Sequence, residues 1–303
     1  MVRRISGSKF MNESMGEKIF DIVRVVLIIF VLITVAYPLY FCCIASISSP
    51  NAVYQGRVIL WPADITLKGY EELMANADIW RGYVNSILYT TVGTLCNMVF
   101  TIPMAFALSR KEFPASGIIM KLIVFTMYFS GGMIPLYFVV NNLKLLNTIW
   151  ALVLPVLVVA YNLIVARSFF SGSIPEELKE ATFLDGGNYF YFFFKVVLPL
   201  SKSLLAVMVL FYASMHWNDY FQALLYMQDG DKAPLQLVLR QILVQSQSQA
   251  ADTSDLTAMV EKQEVAELLK YGAIIVSSVP MLLVYPFVQK HFVKGVMIGA
   301  VKG

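Results

Sequence analysis

Long stretches without a charged side chain alternate with short polar segments along this chain. Val25–Ile47, Gly82–Ser109, Leu122–Leu143, Leu145–Ala166 and Tyr271–Gln289 contain no Asp, Glu, Lys or Arg, and Ser203–Gln228 is broken only by Asp219. A membrane helix needs about 20 apolar residues, and each stretch supplies that length. The runs are continuous rather than alternating, which favours helices over a barrel. The pattern predicts an all-α integral membrane protein with six transmembrane helices in a single domain, at approximately 22–47, 83–109, 118–142, 146–168, 201–227 and 270–290. The first stretch is too long for a signal-peptide core and lacks a small-x-small cleavage site, so it reads as a retained helix.

Composition points the same way. Hydrophobic residues make up 58% and charged residues 14% of the chain, against roughly 45–50% and about 25% in soluble domains. Mean hydropathy is +0.67. So few charges cannot coat a water-soluble protein of this size, which excludes an ordinary cytosolic enzyme. Three cysteines and two histidines share no ligand spacing, so neither a disulfide framework nor a metal site is expected.

The basic residues orient the bundle. With the N-terminus inside, 15 of the 23 Lys and Arg residues fall on inner segments. The positive-inside rule then puts both termini in the cytoplasm. The long segments 48–81 and 229–269 become outer loops, 171–199 an inner loop and 291–303 an inner tail. Within 229–269, Gln245 to Gln249 reads as a polar surface loop. Leu256, Met259, Val260, Val265, Leu268 and Leu269 suggest an amphipathic helix after it. Pro38, Pro103, Pro155 and Pro280 read as kinks, and Asn97 and Asn162 as mid-span amides suited to interhelical hydrogen bonds.

The inner loop 171–199 is the most informative stretch. Ser173 and Glu176 have capping-box spacing, Pro175 falls near a first helical turn, and Gly186-Gly187 can end that helix through a positive φ. Asn188 can cap a second helix that halts before Pro199. Six consecutive aromatics, Tyr189 to Phe194, require cover from the membrane, the chain or a partner.

Glu180-Ala181-Thr182, then Asp185-Gly186-Gly187, then Val196-Val197-Leu198-Pro199 resembles the EAA motif of the membrane subunits of binding-protein-dependent ABC importers. Thr182, Gly187 and Val196 depart from the family pattern conservatively, and every spacing matches. Ala105 to Arg110 with Phe113-Pro114, and the tail from Phe292 to Gly303, resemble the MalG-like branch of sugar permeases. Gly131-Gly132-Met133-Ile134-Pro135 and His216-Trp217-Asn218 resemble a subgroup associated with aldouronate or other complex oligosaccharides.

The resemblance implies a type I importer permease with a cytoplasmic EAA coupling-helix loop, in a bacterial cell membrane. Glu180, Ala181, Asp185, Gly186, Leu198 and Pro199 would couple the spans to a cytoplasmic ATPase dimer, and Gly299, Ala300 and Lys302 of the tail would reach between its subunits. The other implied partners are a second, MalF-like permease forming a heterodimer, an extracellular sugar-binding protein, an oligosaccharide and the lipid bilayer, with no nucleic acid. The chain has no phosphate-binding Gly-x-x-x-x-Gly-Lys-Ser/Thr loop. It is therefore expected to be a non-catalytic subunit without a cofactor of its own, with ATP and Mg on the ATPase subunits.

Polar groups within spans are costly and mark candidate functional positions. Ser130, Gly131, Tyr212, His216, Asn218 and Asp219 are candidates for a translocation path, since carboxylates, amides and aromatic faces suit sugars. A second reading has His216 and Asp219 bracing helices and Ser130-Gly131 forming a packing kink. A permease for peptides or another small solute, or a secondary transporter, are the alternative functions. The latter would need mid-membrane coupling carboxylates, and Asp219 stands alone and off-centre.

Overall fold

The computed structural model describes residues 15–251, 264–283 and 286; the tail residues Gly299, Ala300 and Lys302 lie outside the described residues, as do Leu256, Met259 and Val260. Among the described residues the secondary structure is helical apart from one antiparallel bridge, Ser48 to Ile65. Two compact units are distinguished: Met1–Glu72 with Ala250–Ile275, and Leu73–Gln249 with Val276–Gly303.

In the first unit, α1 (Met15–Ser46) is apolar on every side from Val25 onward, and none of its most apolar window is buried. Such a helix is stable only if lipid or protein surrounds it. Its far end is gathered by a small cluster in which Ile44, Ala52 and Val58 are buried. Here α2 (Pro50–Tyr54) begins at Ser49, whose side chain accepts from the Ala52 N–H. Pro38 sits inside α1 without ending it. The last described helix, α14 (Glu264–Leu283), begins in this unit, where Tyr271 packs edge-on against Phe41 at 6.0 Å and Glu264 accepts from Asn51 at 2.7 Å. Val265, Leu268 and Leu269 thus belong to one long helix rather than to a separate amphipathic one.

The second unit is organised around α4 (Ala77–Ser109), which Asn76 caps. Gly82, Ser86, Tyr89, Gly93, Asn97, Thr101, Ala105 and Leu108 are all buried on it. Their spacing of three and four makes one face. Small and polar residues dominate that face because helices in lipid gain no hydrophobic drive toward one another; close approach and hydrogen bonds must do the work. It packs against α8 (Ala160–Ser173) and α11 (Lys202–Trp217). Between α3 (Lys68–Ala75) and α13 (Leu235–Ala251) the remaining elements are α5 (Ser116–Tyr128), α6 (Met133–Asn142), α7 (Ile149–Val156), α9 (Glu176–Leu184), α10 (Tyr189–Leu200) and α12 (Phe221–Tyr226).

Two of the expected spans are bent where they break: the axis turns by 113° between α5 and α6 and by 52° between α7 and α8, and the loop helix α10 meets α11 at an 80° turn. The first break falls beside Gly132, whose φ of 89° only glycine adopts readily. The second follows Pro155, which removes a donor and frees carbonyls upstream. Two carbonyls at that break, of Val156 and Leu157, accept both N–H groups of Asn97 at 2.7 and 2.9 Å. This orients the amide, so its Oδ1 faces His216 Nε2 at 2.6 Å and that nitrogen carries the proton. Gly93 leaves the space for the ring, since a Cβ there would lie 2.5 Å from Nε2.

The polar stretch from Gln245 to Gln249 is helical, as the end of α13, rather than a surface loop. Glutamine is a good helix former, and polarity alone does not distinguish a loop from an exposed helix. The segment between α12 and α13 is pinned at this pole of the bundle. Asn147 Oδ1 accepts from the N–H groups of Gln228 and Asp229 at 2.7 and 2.9 Å. Asn85 donates to the carbonyls of Asp231 and Ala233 at 2.9 and 3.0 Å, and Ser86 Oγ accepts from the Leu235 N–H at 2.8 Å.

Replacing Asn97 by Leu strands two carbonyls and a buried imidazole. Each unsatisfied buried group costs about 1–3 kcal/mol, so the thermal midpoint in detergent should fall clearly, whereas Cys96→Ala, at the partly exposed neighbouring position, should change it little.

Candidate functional site

The loop 171–199 folds as α9, a glycine turn and α10. Ser173 is the last residue of α8, and Pro175 in an extended conformation starts α9 without a side-chain cap. The expected capping box is therefore absent, because the N-cap position falls on Pro175 and Glu176 opens the helix; its carboxylate forms ion pairs instead. At the other end Gly186 takes φ of 78° and donates to Phe183 O at 3.1 Å. Gly187 has a different role: a Cβ there would lie 2.7 Å from Thr182 Cγ2 and 2.8 Å from Thr182 O. Thr182 is buried, and its hydroxyl is satisfied by Leu178 O at 2.7 Å.

Asn188 caps α10 by accepting from the Tyr191 N–H at 2.9 Å. The helix then runs through Pro199 instead of stopping before it. Phe192–Val197 is wound as a π-helix, and this wider turn relieves the clash between a proline ring and the carbonyl four residues back. The aromatic run is divided by the resulting geometry. Phe192 and Phe193 are buried, 6.0 and 5.0 Å from Phe106, in a core formed with Phe170, Leu163, Met208 and neighbours. Tyr189, Phe190, Tyr191 and Phe194 remain exposed.

The loop is also tied to α4 by charge. The Arg110 side chain is only 6% exposed; it donates to Phe170 O at 2.9 Å, lies 5.0 Å from the Phe106 ring and approaches Glu176 at 4.0 Å. Lys179 pairs with both Glu112 and Glu176. Hydrogen bonding to Lys179 holds the Glu112 carboxyl below its usual range, and the same contact pushes the Lys179 ammonium up. Burial lowers the Arg110 guanidinium, with Glu176 and Glu112 opposing that shift. Sequence reasoning misses this group: Arg110 enters it only through charge and the MalG-like resemblance, and Lys179 only through charge; an acid three residues before Lys179 is the available signal.

The expected coupling residues therefore occupy two environments. Glu180, Ala181, Asp185 and Gly186 lie exposed at the tip, next to Phe183 and Leu184, the latter 88% exposed. Leu198 is partly buried against the core and Pro199 is exposed.

The polar set of the expected fifth span is likewise divided. The span breaks after Trp217, and Asp219 Oδ1 accepts from the Gln222 N–H at 3.0 Å, opening α12. Tyr212 and His216 are buried toward α4, Tyr212 through a 2.7 Å contact with Thr101. Asn218 faces elsewhere: with Ser214, Gln236, Ser277, Ser278, Leu210, Met281 and Leu282 it lines a cavity of about 430 Å³. Arg240, one turn after Gln236, lies 5.6 Å over the Tyr220 ring. Ser130 and Gly131 form the exposed elbow between α5 and α6. The six candidates thus do not share one lining; Asn218 alone among them borders the cavity.

Comparison with known proteins agrees with this architecture. The chain belongs to the family described as binding-protein-dependent transport system inner membrane component, whose pattern matches residues 79–298. It is 40% identical to the polygalacturonan/rhamnogalacturonan transport system permease protein YtcP of Bacillus subtilis (strain 168), over 95% of this chain and 100% of that one. It is 36% identical to protein LplC of the same strain, over 97% and 98%. A crystal structure of a bacterial ABC transporter involved in import of the acidic polysaccharide alginate contains a chain that superposes with a TM-score of 0.80 at 34% identity, covering 93% of this chain and 99% of that chain.

The Lys179 tie should be breakable without unfolding the bundle. Lys179→Met is expected to leave membrane insertion intact but to increase protease cleavage within 176–188. Because the Glu112 carboxyl is held low, the tie is complete at neutral pH and is lost only as pH falls below the ordinary carboxylate range, so the parent chain should gain the same sensitivity only in acid.

Proposed function

We propose that this permease passes an oligosaccharide across a bacterial cell membrane, driven by a separate ATPase dimer and supplied by an extracellular binding protein. The observation that carries this reading is the loop 171–199: its base is locked into the core by Phe192, Phe193 and Arg110, while its tip presents Glu180, Ala181, Leu184 and Phe190 with no cover. A rigid base with an apolar, charged-edged tip suits transmission of a partner's movement to α4, α8 and α11. The nucleotide and Mg would sit on that partner, and this chain would hold no cofactor. In this orientation the loop and both termini are cytoplasmic, and a second, related permease completes the path.

Similar chains from polygalacturonan/rhamnogalacturonan and alginate transport systems support the oligosaccharide. The cavity beside Asn218 is lined by Asn, Gln and Ser residues, residue types that match sugar hydroxyls. Arg240, close by on α13, would suit a uronate carboxylate, in keeping with the polygalacturonan and alginate systems of similar chains.

Glu180→Lys should abolish uptake while the protein remains in the membrane; normal uptake by that variant would sink the coupling assignment. Asn218→Ala and Gln236→Ala should reduce uptake and leave basal ATP hydrolysis of the assembled transporter unchanged. Arg240→Gln should slow uptake of galacturonate oligomers more than that of neutral ones. Equal effects on both substrates would remove the acidic-sugar assignment without touching the rest.

A further inference from the structure

Between Gly56 and Ile65 the chain forms a narrow finger whose ends meet at the C-terminal end of α1. Ser48 bridges Ile65, the Thr66 N–H donates to Ile47 O at 3.0 Å, and the Arg57 N–H donates to Ala52 O at 3.0 Å. Arg57 and Asp64 form an ion pair across the neck. Positive φ at Gly56 (68°) and Asp64 (50°) reverses the chain at either side. Val58 is buried, but Ile59, Leu60 and Trp61 are exposed, Trp61 at 78%.

Two tyrosines fix where the tip lies. Tyr37 donates to Ile59 O at 3.2 Å, and Tyr40 donates to Leu60 O. Tyr37 and Tyr40 sit about 13 Å and about 9 Å of helix rise before the end of α1. Helical side chains lean toward the N-terminus, so the hydroxyls lie no closer to the C-terminal end of α1 than their own Cα atoms. The tip therefore runs back along α1 instead of outward. From Arg24 to Ser46 the helix rises about 33 Å, close to the hydrocarbon thickness of roughly 30 Å. With the two interfaces at Arg24 and Ser46, Ile59 and Leu60 would lie at acyl-chain depth.

Irregular backbone at that depth survives only if its polar groups are satisfied by protein. The two tyrosine hydroxyls satisfy two of the tip's carbonyls, and Pro62 brings no N–H to satisfy. We propose that residues 57–64 form a re-entrant lipid anchor, with Ile59, Leu60 and Trp61 inserted among acyl chains and the Arg57–Asp64 pair left at the headgroups. The anchor would fix the depth of α1. The orientation proposed above makes this the outer leaflet; insertion itself does not depend on it.

The test uses the full chain with Cys42, Cys43 and Cys96 replaced by Ser and an environment-sensitive fluorophore at Leu60→Cys, in phosphatidylcholine vesicles carrying acyl-chain nitroxides. Emission should be blue-shifted relative to the same probe at Asp78→Cys, and should be quenched by the nitroxides but not by aqueous iodide. Adding Tyr37→Phe and Tyr40→Phe should shift emission to the red and admit iodide; unchanged emission would overturn the tyrosine clasp. Iodide quenching of the parent would show a solvated loop, and protection from both quenchers would show a protein partner; either result overturns the anchor. Inverted insertion would leave the lipid quenching intact and change only the side from which an impermeant reductant reaches position 78, so that failure reads separately.

Discussion

A broken helix inside a membrane exposes backbone groups that lipid cannot hydrogen-bond, and much of this fold follows from where those groups find partners. Asn97 is the central case. Its single amide takes two carbonyls from the break in the fourth span and offers its oxygen to His216 on the fifth. Three spans are thereby fixed to one another at a point where α7 and α8 diverge by 52°. Without such a partner a break of this kind would cost several kcal/mol. The same solution recurs elsewhere: Asn147 beneath residues 228 and 229, Asp219 at the start of α12, and Arg110 and Arg167 on the carbonyls of Phe170 and Leu108.

The satisfied breaks tie the helices of the bundle to one another and leave the tip of the loop 171–199 exposed. Phe192 and Phe193 commit a third of the aromatic run to the interior, so α10 is packed into the core formed by α4, α8 and α11. The remaining aromatics, together with Glu180, Ala181, Asp185 and Gly186, are then left exposed rather than consumed by packing. The 80° turn from α10 into α11 sets the loop helix across the direction of the span. A sideways displacement of the tip would accordingly bear on α11 as a lever does.

The amino-acid sequence by itself determined the class of the protein, its long apolar helical stretches and the two loop helices. Uncharged runs of 20 residues and a Gly-Gly-Asn punctuation act locally, through hydrophobicity and φ, and need no neighbours to be read. The sequence also singled out Asn97 and the interruption at Ser130 to Pro135. Only the tertiary structure decided what polar residues face. Tyr212, His216, Asn218 and Asp219 lie within two turns of each other, yet the first two engage α4, the third a cavity and the fourth a helix end. Likewise Pro199 fails to stop α10 because a π-turn absorbs its clash, and Ile59 and Leu60 are held against α1 by tyrosines twenty residues away. Each of these outcomes depends on a partner distant in sequence, and hydropathy along a chain carries no information about such pairings.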